Sequence, residues 1–241
     1  MRLRNIPGAR EEILDSAYVI QEPEKWKGKW REYFQKDVPV HIEIGMGKGQ
    51  FLLQKARLNP GISYLGFEMY SSVLLRAMQK RQEYEKEYLS LGNLAYVRMD
   101  ARLLPEVLEE EEVEKIYLNF SDPWPKSRHA SRRLTSRRFL SRYEKILDKK
   151  TGVVEFKTDN AELFHFSLTE IREAGWELLY STENLYANEI LMKDNIATEY
   201  EEKFSSQGIP ICKLAARPQW HSFGRKKQDG IILFGKGKTD F

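Results

Sequence analysis

The sequence predicts an α/β protein, a doubly wound, mostly parallel sheet flanked by helices. Three observations carry that expectation. Apolar, β-branched runs alternate with helically spaced segments along most of the chain. A glycine-rich turn, Gly45–Gly49, follows the first clear strand, and acidic residues recur where successive strands end. Strand and helix in alternation require parallel crossovers, and ligands of such sheets sit outside the carboxyl ends of the strands.

The elements follow in order. Residues 1–37 are polar, with aromatic pieces around Trp26, Trp30 and Tyr33, and read as an arm or short helix before the domain. Residues 38–44 (VPVHIEI) form a strand that runs into GMGKG; 50–58 then has helical spacing and stops at Asn59-Pro60. The stretch 62–67 reads as a strand, 71–91 as a long helix, 94–99 as a strand and 103–108 as a short helix. Residues 113–120 give the next strand, followed by the polar loop SDPWPKSRHASRRL. A helix is expected over 135–148, a strand over 153–157, a helix over 161–174, a strand-like piece at 176–181 and a last helix at 198–206. The domain is thus placed at 38–217, with a tail of open status over 218–241.

Composition narrows the class. The 241 residues are 41% hydrophobic and 31% charged, enough apolar content for one substantial core and too much for a disordered chain. A single Cys excludes an internal disulfide, and His41, His129, His165 and His221 lack metal-ligand spacing, so no metal is expected. No uncharged apolar run reaches the roughly 18 residues of a membrane span, and the first residues do not read as a signal peptide. A reduced, cytoplasmic protein is expected. The net charge of +3 does not by itself speak for or against a polyanionic partner.

Four acids mark the strand ends: Glu43 before the glycine loop, then Glu68, Asp100 and Asp122. An acid in a neutral core strand needs a partner, because an unpaired buried carboxylate is costly. The loop Gly45-x-Gly47-x-Gly49 matches neither the dinucleotide fingerprint nor the P-loop spacing. It suits a ligand with ribose hydroxyls and a positive centre. S-adenosyl-L-methionine fits, with Glu68 bridging the ribose diol, Asp100 addressing adenine N6, and the glycines allowing close approach of the methionine part. Taken singly, each feature also has a plain structural reading: the glycines as a turn, Asp100 as a helix N-cap. The series of four favours a ligand site.

The most specific string is NFSDPWPKSRHASRRL over 119–134. Two prolines stiffen the loop around Trp124. From Lys126 to Arg138 there are six Lys/Arg (Lys126, Arg128, Arg132, Arg133, Arg137, Arg138), plus His129 and no acid, a pattern that fits contact with a phosphate backbone.

The strings HIEIGMGKGQF (41–51), GFEM (66–69), YLNFSDPWPKSRH (117–129), RRLT (132–135), FKTDN (156–160) and TEYEEKF (198–204) closely resemble the bacterial tRNA (guanine-N7-)-methyltransferases over roughly residues 1–214. The resemblance implies a Rossmann-like class I methyltransferase fold, S-adenosyl-L-methionine as donor, and methylation of guanosine 46 in the tRNA variable loop. It implies Glu43, Gly45, Gly47, Glu68, Asp100 and Asp122 as donor-site residues, Asp122 also as the catalytic one. Lys126, Asp159, Thr198, Glu199, Tyr200 and Glu201 would contact substrate, and Arg128, His129, Arg132 and Arg133 the RNA. Ser127 and Ser131 stand where the family usually has Lys. The family tends to end near residue 214, whereas this chain continues. Either a monomer or a homodimer is compatible with these readings. Two other functions stay open at this point: an RNA-binding module without activity, and a small-molecule methyltransferase, which would leave the basic run unexplained.

The implied chemistry is simple in its proton accounting. Guanine N7 is a neutral lone pair, so no base is needed to deprotonate it, and the ring becomes cationic as the methyl arrives. A carboxylate such as Asp122 would stabilise that charge. Asp122, and Asp159 with it, could also accept from N1–H and the exocyclic amine. Trp124 has two readings, as an aromatic beside the extruded base or as packing under the proline loop.

Overall fold

A computed structural model of the protein describes residues 5–220. From residue 221 onward, the tail and its His221 lie outside the described residues.

The chain begins with α1 (Ala9–Leu14), β1 (Val19–Ile20), a 3-10 turn at Pro23–Trp26 and α2 (Trp30–Tyr33). Next come β2 (Val40–Ile44), α3 (Gln50–Leu58), β3 (Ser63–Glu68), α4 (Ser71–Glu87), β4 (Leu94–Arg98), α5 (Leu104–Val107) and β5 (Lys115–Asn119). After the basic loop follow α6 (Arg137–Ile146), β6 (Val153–Thr158), α7 (Ala161–Glu173) and β7 (Glu177–Thr182). The last elements are α8 (Glu189–Met192), α9 (Glu199–Ser205) and β8 (Cys212–Arg217). The strands form one sheet in the order β1-β4-β3-β2-β5-β6-β8-β7. Its pairings are parallel except those of β8, which runs antiparallel to both β6 and β7.

Alternation along each strand sends neighbours to opposite faces. Ile42, Leu65, Val97, Ile116 and Phe156 enter a core with Phe139, Leu140, Tyr143, Leu163 and Phe164 of α6 and α7. Tyr64, Tyr96 and Tyr117 face the other way, into a second core with Phe51, Leu52 and Ala56 of α3 and Leu74, Leu75 and Met78 of α4. The expected doubly wound sheet is therefore present. Strand order reverses between β2 and β5, whose carboxyl ends open the crevice where such sheets bind ligands.

Three differences from expectation have local causes. The long helix expected to residue 91 stops at Glu87, because Tyr88 is extended (φ −132°, ψ 179°). The helix expected from 135 starts at Arg137, with extended Ser136 as its N-cap residue. Strand β8, CKLAAR, carries two alanines and a lysine, and its local preference for a strand is weak. Ladder bonds to β6 and β7 on both sides, together with Lys213 at 3.5 Å from Glu155, hold it in the sheet.

The first residues, expected as an arm ahead of the domain, pack onto it. β1 extends the sheet beyond β4, pairing Val19 with Tyr96. Trp30 is fully buried in the main core and donates its indole N–H to the Val107 carbonyl at 2.9 Å. The Glu112 carboxylate accepts the backbone N–H groups of Gly28 and Trp30, each at 3.1 Å, so this last acid of the 109–112 run secures the segment. Trp30→Ala is accordingly expected to cost about 3–5 kcal/mol, the range for emptying a large aromatic site, as measured by urea unfolding. A loss under about 1 kcal/mol, the scale of a surface change, would restore the arm reading.

Candidate active site

The pocket at the switch point is walled by Glu43, residues 45–51, Asn119, Phe120 and the segment Thr198, Glu199 and Tyr200. Each wall has a local cause. Gly45, Gly47 and Gly49 all take left-handed backbone (φ 72°, 58° and 72°), which a side chain would strain, and the Cβ direction of Gly47 opens on free space. Gly49 leads directly into α3.

Glu43 is the most constrained acid. It is 2% exposed, and its Oε1 accepts from Asn119 Nδ2 at 2.7 Å, while Oε2 is buried with no hydrogen-bond partner. Burial pushes its pKa up to about 8, with Asn119 and Lys157 opposing the shift and Glu68 adding to it. Glu68 is also buried, and burial raises its pKa as well. Its carboxylate accepts from Gly47 N at 3.2 Å and Tyr70 N at 2.9 Å, fixing the glycine loop against the end of β3. Asp122, exposed on the loop after β5, lies near enough to Glu68 to push that pKa further up.

Asp100 follows Met99, whose backbone N–H donates to the Glu68 carbonyl at 3.1 Å, but its own carboxylate is engaged locally. Its Oδ1 accepts from Arg102 N at 2.8 Å and its Oδ2 pairs with the Arg102 guanidinium at 2.7 Å, a hydrogen-bonded pairing that lowers its pKa. It caps the 3-10 turn Ala101–Leu103, as the plain reading of the sequence had it.

Thr198, Glu199 and Tyr200 join the glycine-loop residues in one pocket although they lie far from them in sequence. Thr198 caps α9 through the Glu201 N–H at 3.0 Å. Glu199 bridges Lys48 of the glycine loop and Lys80 of α4. Tyr200 is half-exposed and stacks on Phe120, which holds a left-handed backbone (φ 51°) at the end of β5. Strain of this kind in a non-glycine residue collects at functional sites. Glu201, expected among the substrate contacts, lies fully buried instead. Its Oε2 pairs with Lys157 Nζ at 2.5 Å and its Oε1 accepts from Asn195 Nδ2 at 2.6 Å, so it clamps α9 onto the end of β6. Burial pulls the Lys157 ammonium down in pKa and Glu201 opposes that. Asp159 is half-buried just before the N-cap of α7.

The basic loop divides its cations. Lys126, Arg128 and Arg132 are exposed, and Arg132 lies over the Trp124 ring at 5.0 Å. His129 meets the same ring edge-on at 5.7 Å. Arg133, expected to contact RNA, instead donates Nε to the Pro123 carbonyl at 2.9 Å and Nη2 to the Trp124 carbonyl at 3.1 Å. The run is also not free of acids in space, because Arg137 pairs with Glu170 at 3.4 Å and Glu173 at 2.9 Å from α7. Asn119, Phe120 and Lys157 were missed as site residues. Their signal was positional: each stands at or beside a strand's carboxyl end.

Among the described residues no group of His, Cys, Asp and Glu could hold a metal ion, and no helix is long and apolar enough to cross a membrane. A family model described as "Putative methyltransferase" matches residues 37–214. A tRNA (guanine-N(7)-)-methyltransferase of Lachnoclostridium phytofermentans is 54% identical over 216 residues, covering 90% of this chain and 98% of that protein. One from Geobacillus sp. is 46% identical, covering 93% and 100%. The chain belongs to the tRNA (guanine-N(7)-)-methyltransferase family. It is a methyltransferase. Among solved structures, the 16S rRNA methyltransferase KamB superposes with a TM-score of 0.58 at 15% identity, over 78% of this chain and 91% of that one. An antibiotic-related methyltransferase gives 0.56 at 17%, over 78% and 92%. At that identity the likeness is one of fold, the Rossmann-like class I architecture.

Lys157→Met leaves the Glu201 carboxylate buried without its ion partner, a change expected to cost about 3–5 kcal/mol. Replacing both, Lys157→Met with Glu201→Leu, should recover most of that loss in urea unfolding. An equal loss in the double variant would show that the cost comes from Lys157's own bonds to Asn195 and Ile196 and not from an orphaned carboxylate.

Proposed function

We propose that this enzyme transfers the methyl group of S-adenosyl-L-methionine to N7 of guanosine 46 in the variable loop of tRNA, in the cytoplasm. One observation carries the reading. At the switch point of the sheet, the glycine loop and the buried Glu43 share a pocket with Thr198–Tyr200, beside a loop of exposed cations.

The residues present fit the donor. Glu43 Oε2 is a buried acceptor without a partner, and the open space at Gly47 leaves room for a ligand against the backbone. Two buried carboxylates, Glu43 and Glu68, complement a ligand bearing an ammonium and a sulfonium. When bound, that ligand supplies an electrophilic methyl on a positively charged sulfur. Glu43, Glu68 and the glycine loop would hold it, and Glu68 also keeps the loop in place through Gly47 N. Asp100, which also pairs with Arg102, would address adenine N6 from the end of β4.

On the substrate side, N7 has no proton to lose, so the protein's task is placement and charge. Asp122 would lie beside the purine as it becomes cationic and stabilise that charge. Tyr200 and Phe120 offer aromatic faces to the base, and Asp159 and Lys126 would set its orientation. Arg128 and Arg132 would meet phosphates.

Labelled donor should methylate unmodified tRNA and leave a transcript lacking the variable-loop guanosine unlabelled. Equal labelling of both would remove the assigned position. Glu43 adds a pH signature. The folded state favours its protonated form, so its contribution to stability falls as pH rises from the ordinary carboxylate range to about 8. Glu43→Gln should therefore raise the thermal midpoint of the ligand-free protein increasingly over that window. The wild type should bind donor more tightly as pH rises toward 8, whereas the variant binds weakly and without that trend. Parallel pH trends in the two proteins would remove Glu43 from the donor site.

A further inference from the structure

We infer that the two adjacent arginines of the basic loop do different work: Arg133 is a positioning residue that holds the Asp122–Trp124 turn in its working shape, while its neighbour Arg132 is left to meet the RNA. The inference rests on the tRNA reading above and assigns Arg133 a role other than phosphate contact.

The guanidinium of Arg133 bonds two successive carbonyls, Pro123 O at 2.9 Å and Trp124 O at 3.1 Å. Those carbonyls flank the residue that most needs support, since Trp124 takes φ 41°, a left-handed conformation that a bulky side chain disfavours. Asp122 immediately precedes this pair. A change in the Pro123–Trp124 backbone therefore moves the carboxylate proposed to sit beside the purine. Two N–H donors on one rigid plane fix both distance and direction, which a single ammonium cannot.

The brace is itself anchored. Its guanidinium lies on the Phe166 ring of α7 at 4.3 Å. Its own carbonyl accepts from Ser136 N at 3.0 Å, and the next carbonyl, of Leu134, accepts from the buried Tyr143 hydroxyl at 3.0 Å. Thr135 and Ser167 hydrogen-bond at 2.6 Å within the core. The far end of the loop is thus fixed to α6 and α7, and Arg133 reaches back from that fixed end to the near one. Arg132 has the opposite setting. It is exposed, lies on the Trp124 ring at 5.0 Å, and makes no hydrogen bond or ion pair through its side chain among the described residues. A cation presented that way on a stiff platform suits a phosphate.

The test uses the full-length enzyme, unmodified tRNA and labelled donor, with tRNA binding measured across a salt series. Transfer by the wild type comes first; its absence would sink the tRNA reading and this inference together. Given transfer, Arg133→Gln and Arg133→Lys should lose kcat by up to about a hundredfold, the scale of an ångström-sized misplacement, while KM for tRNA holds within about twofold. Their salt slopes should match the wild type. Arg132→Gln should keep most of kcat, raise KM and flatten the slope by about one, and Arg132→Lys should restore it. Phe166→Leu removes the platform without touching a charge and should show the same kcat-only loss in a protein whose thermal midpoint confirms folding. A flattened slope in Arg133→Gln, rescue of kcat by Arg133→Lys, or wild-type kcat in Phe166→Leu would each overturn the assignment.

Discussion

The buried ion pair between Lys157 and Glu201 anchors the far wall of the pocket to the sheet. Lys157 is the last residue but one of β6 in the sheet, and Glu201 belongs to α9, which the chain reaches only after β7 and α8. Pairing the two brings Thr198, Glu199 and Tyr200 over the carboxyl ends of β2 and β5. Desolvating two charges is expensive, and such a pair holds only where further hydrogen bonds complete it. Here Lys157 also donates to the Asn195 side chain and the Ile196 carbonyl, and Glu201 accepts from Asn195. The geometry is therefore specified as well as stabilised. A hydrophobic contact of equal area would bring α9 to the sheet but would not fix its rotation, and the rotation is what places Tyr200 on Phe120.

The same cation acts on the other side of the sheet end. Lys157 lies opposite Asn119 in the parallel register, and Asn119 holds Glu43. It lowers the pKa of Glu43 without reaching it as a partner, so Glu43 keeps one free oxygen and a raised pKa. A fully satisfied Glu43 would be more stable and less useful. The local instability has the character of a site organised for a cationic ligand, with the compensating order placed one residue away in the clamp.

Much of the fold was legible in local pattern, because each parallel strand is a short apolar run and each crossover helix carries its own apolar stripe. The elements that were not legible owe their structure to distant partners. β8 has the composition of a loop or helix and becomes a strand because β6 and β7 flank it. β1 is two residues long and exists by pairing with β4. The site divides along the same line. Glu43, Glu68 and the three glycines announce themselves by position in a strand–turn–helix unit. The role of Glu201 depends on a lysine 44 residues away, and that of Asn119 on a glutamate 76 residues away. Neither separation leaves a periodic trace in the sequence.

Charge shows most clearly what the folded chain adds to composition. Six cations in a row of thirteen residues read as one basic face, yet the loop geometry sorts them by what lies within reach. Carboxylates on α7 take Arg137, and two backbone carbonyls take Arg133. Among the described residues Lys126, Arg128, Arg132 and Arg138 remain without a carboxylate partner. Cations already bonded within the protein release fewer counterions on meeting a polyanion, so the affinity such a loop contributes follows the four free cations and not the six in the sequence. The two withdrawn arginines still serve the same surface, one by fixing α6 to α7 behind the loop and one by holding the loop's shape. Recognition of a phosphate backbone needs cations at set distances as much as it needs their number, and setting those distances takes positive charge out of the interface itself.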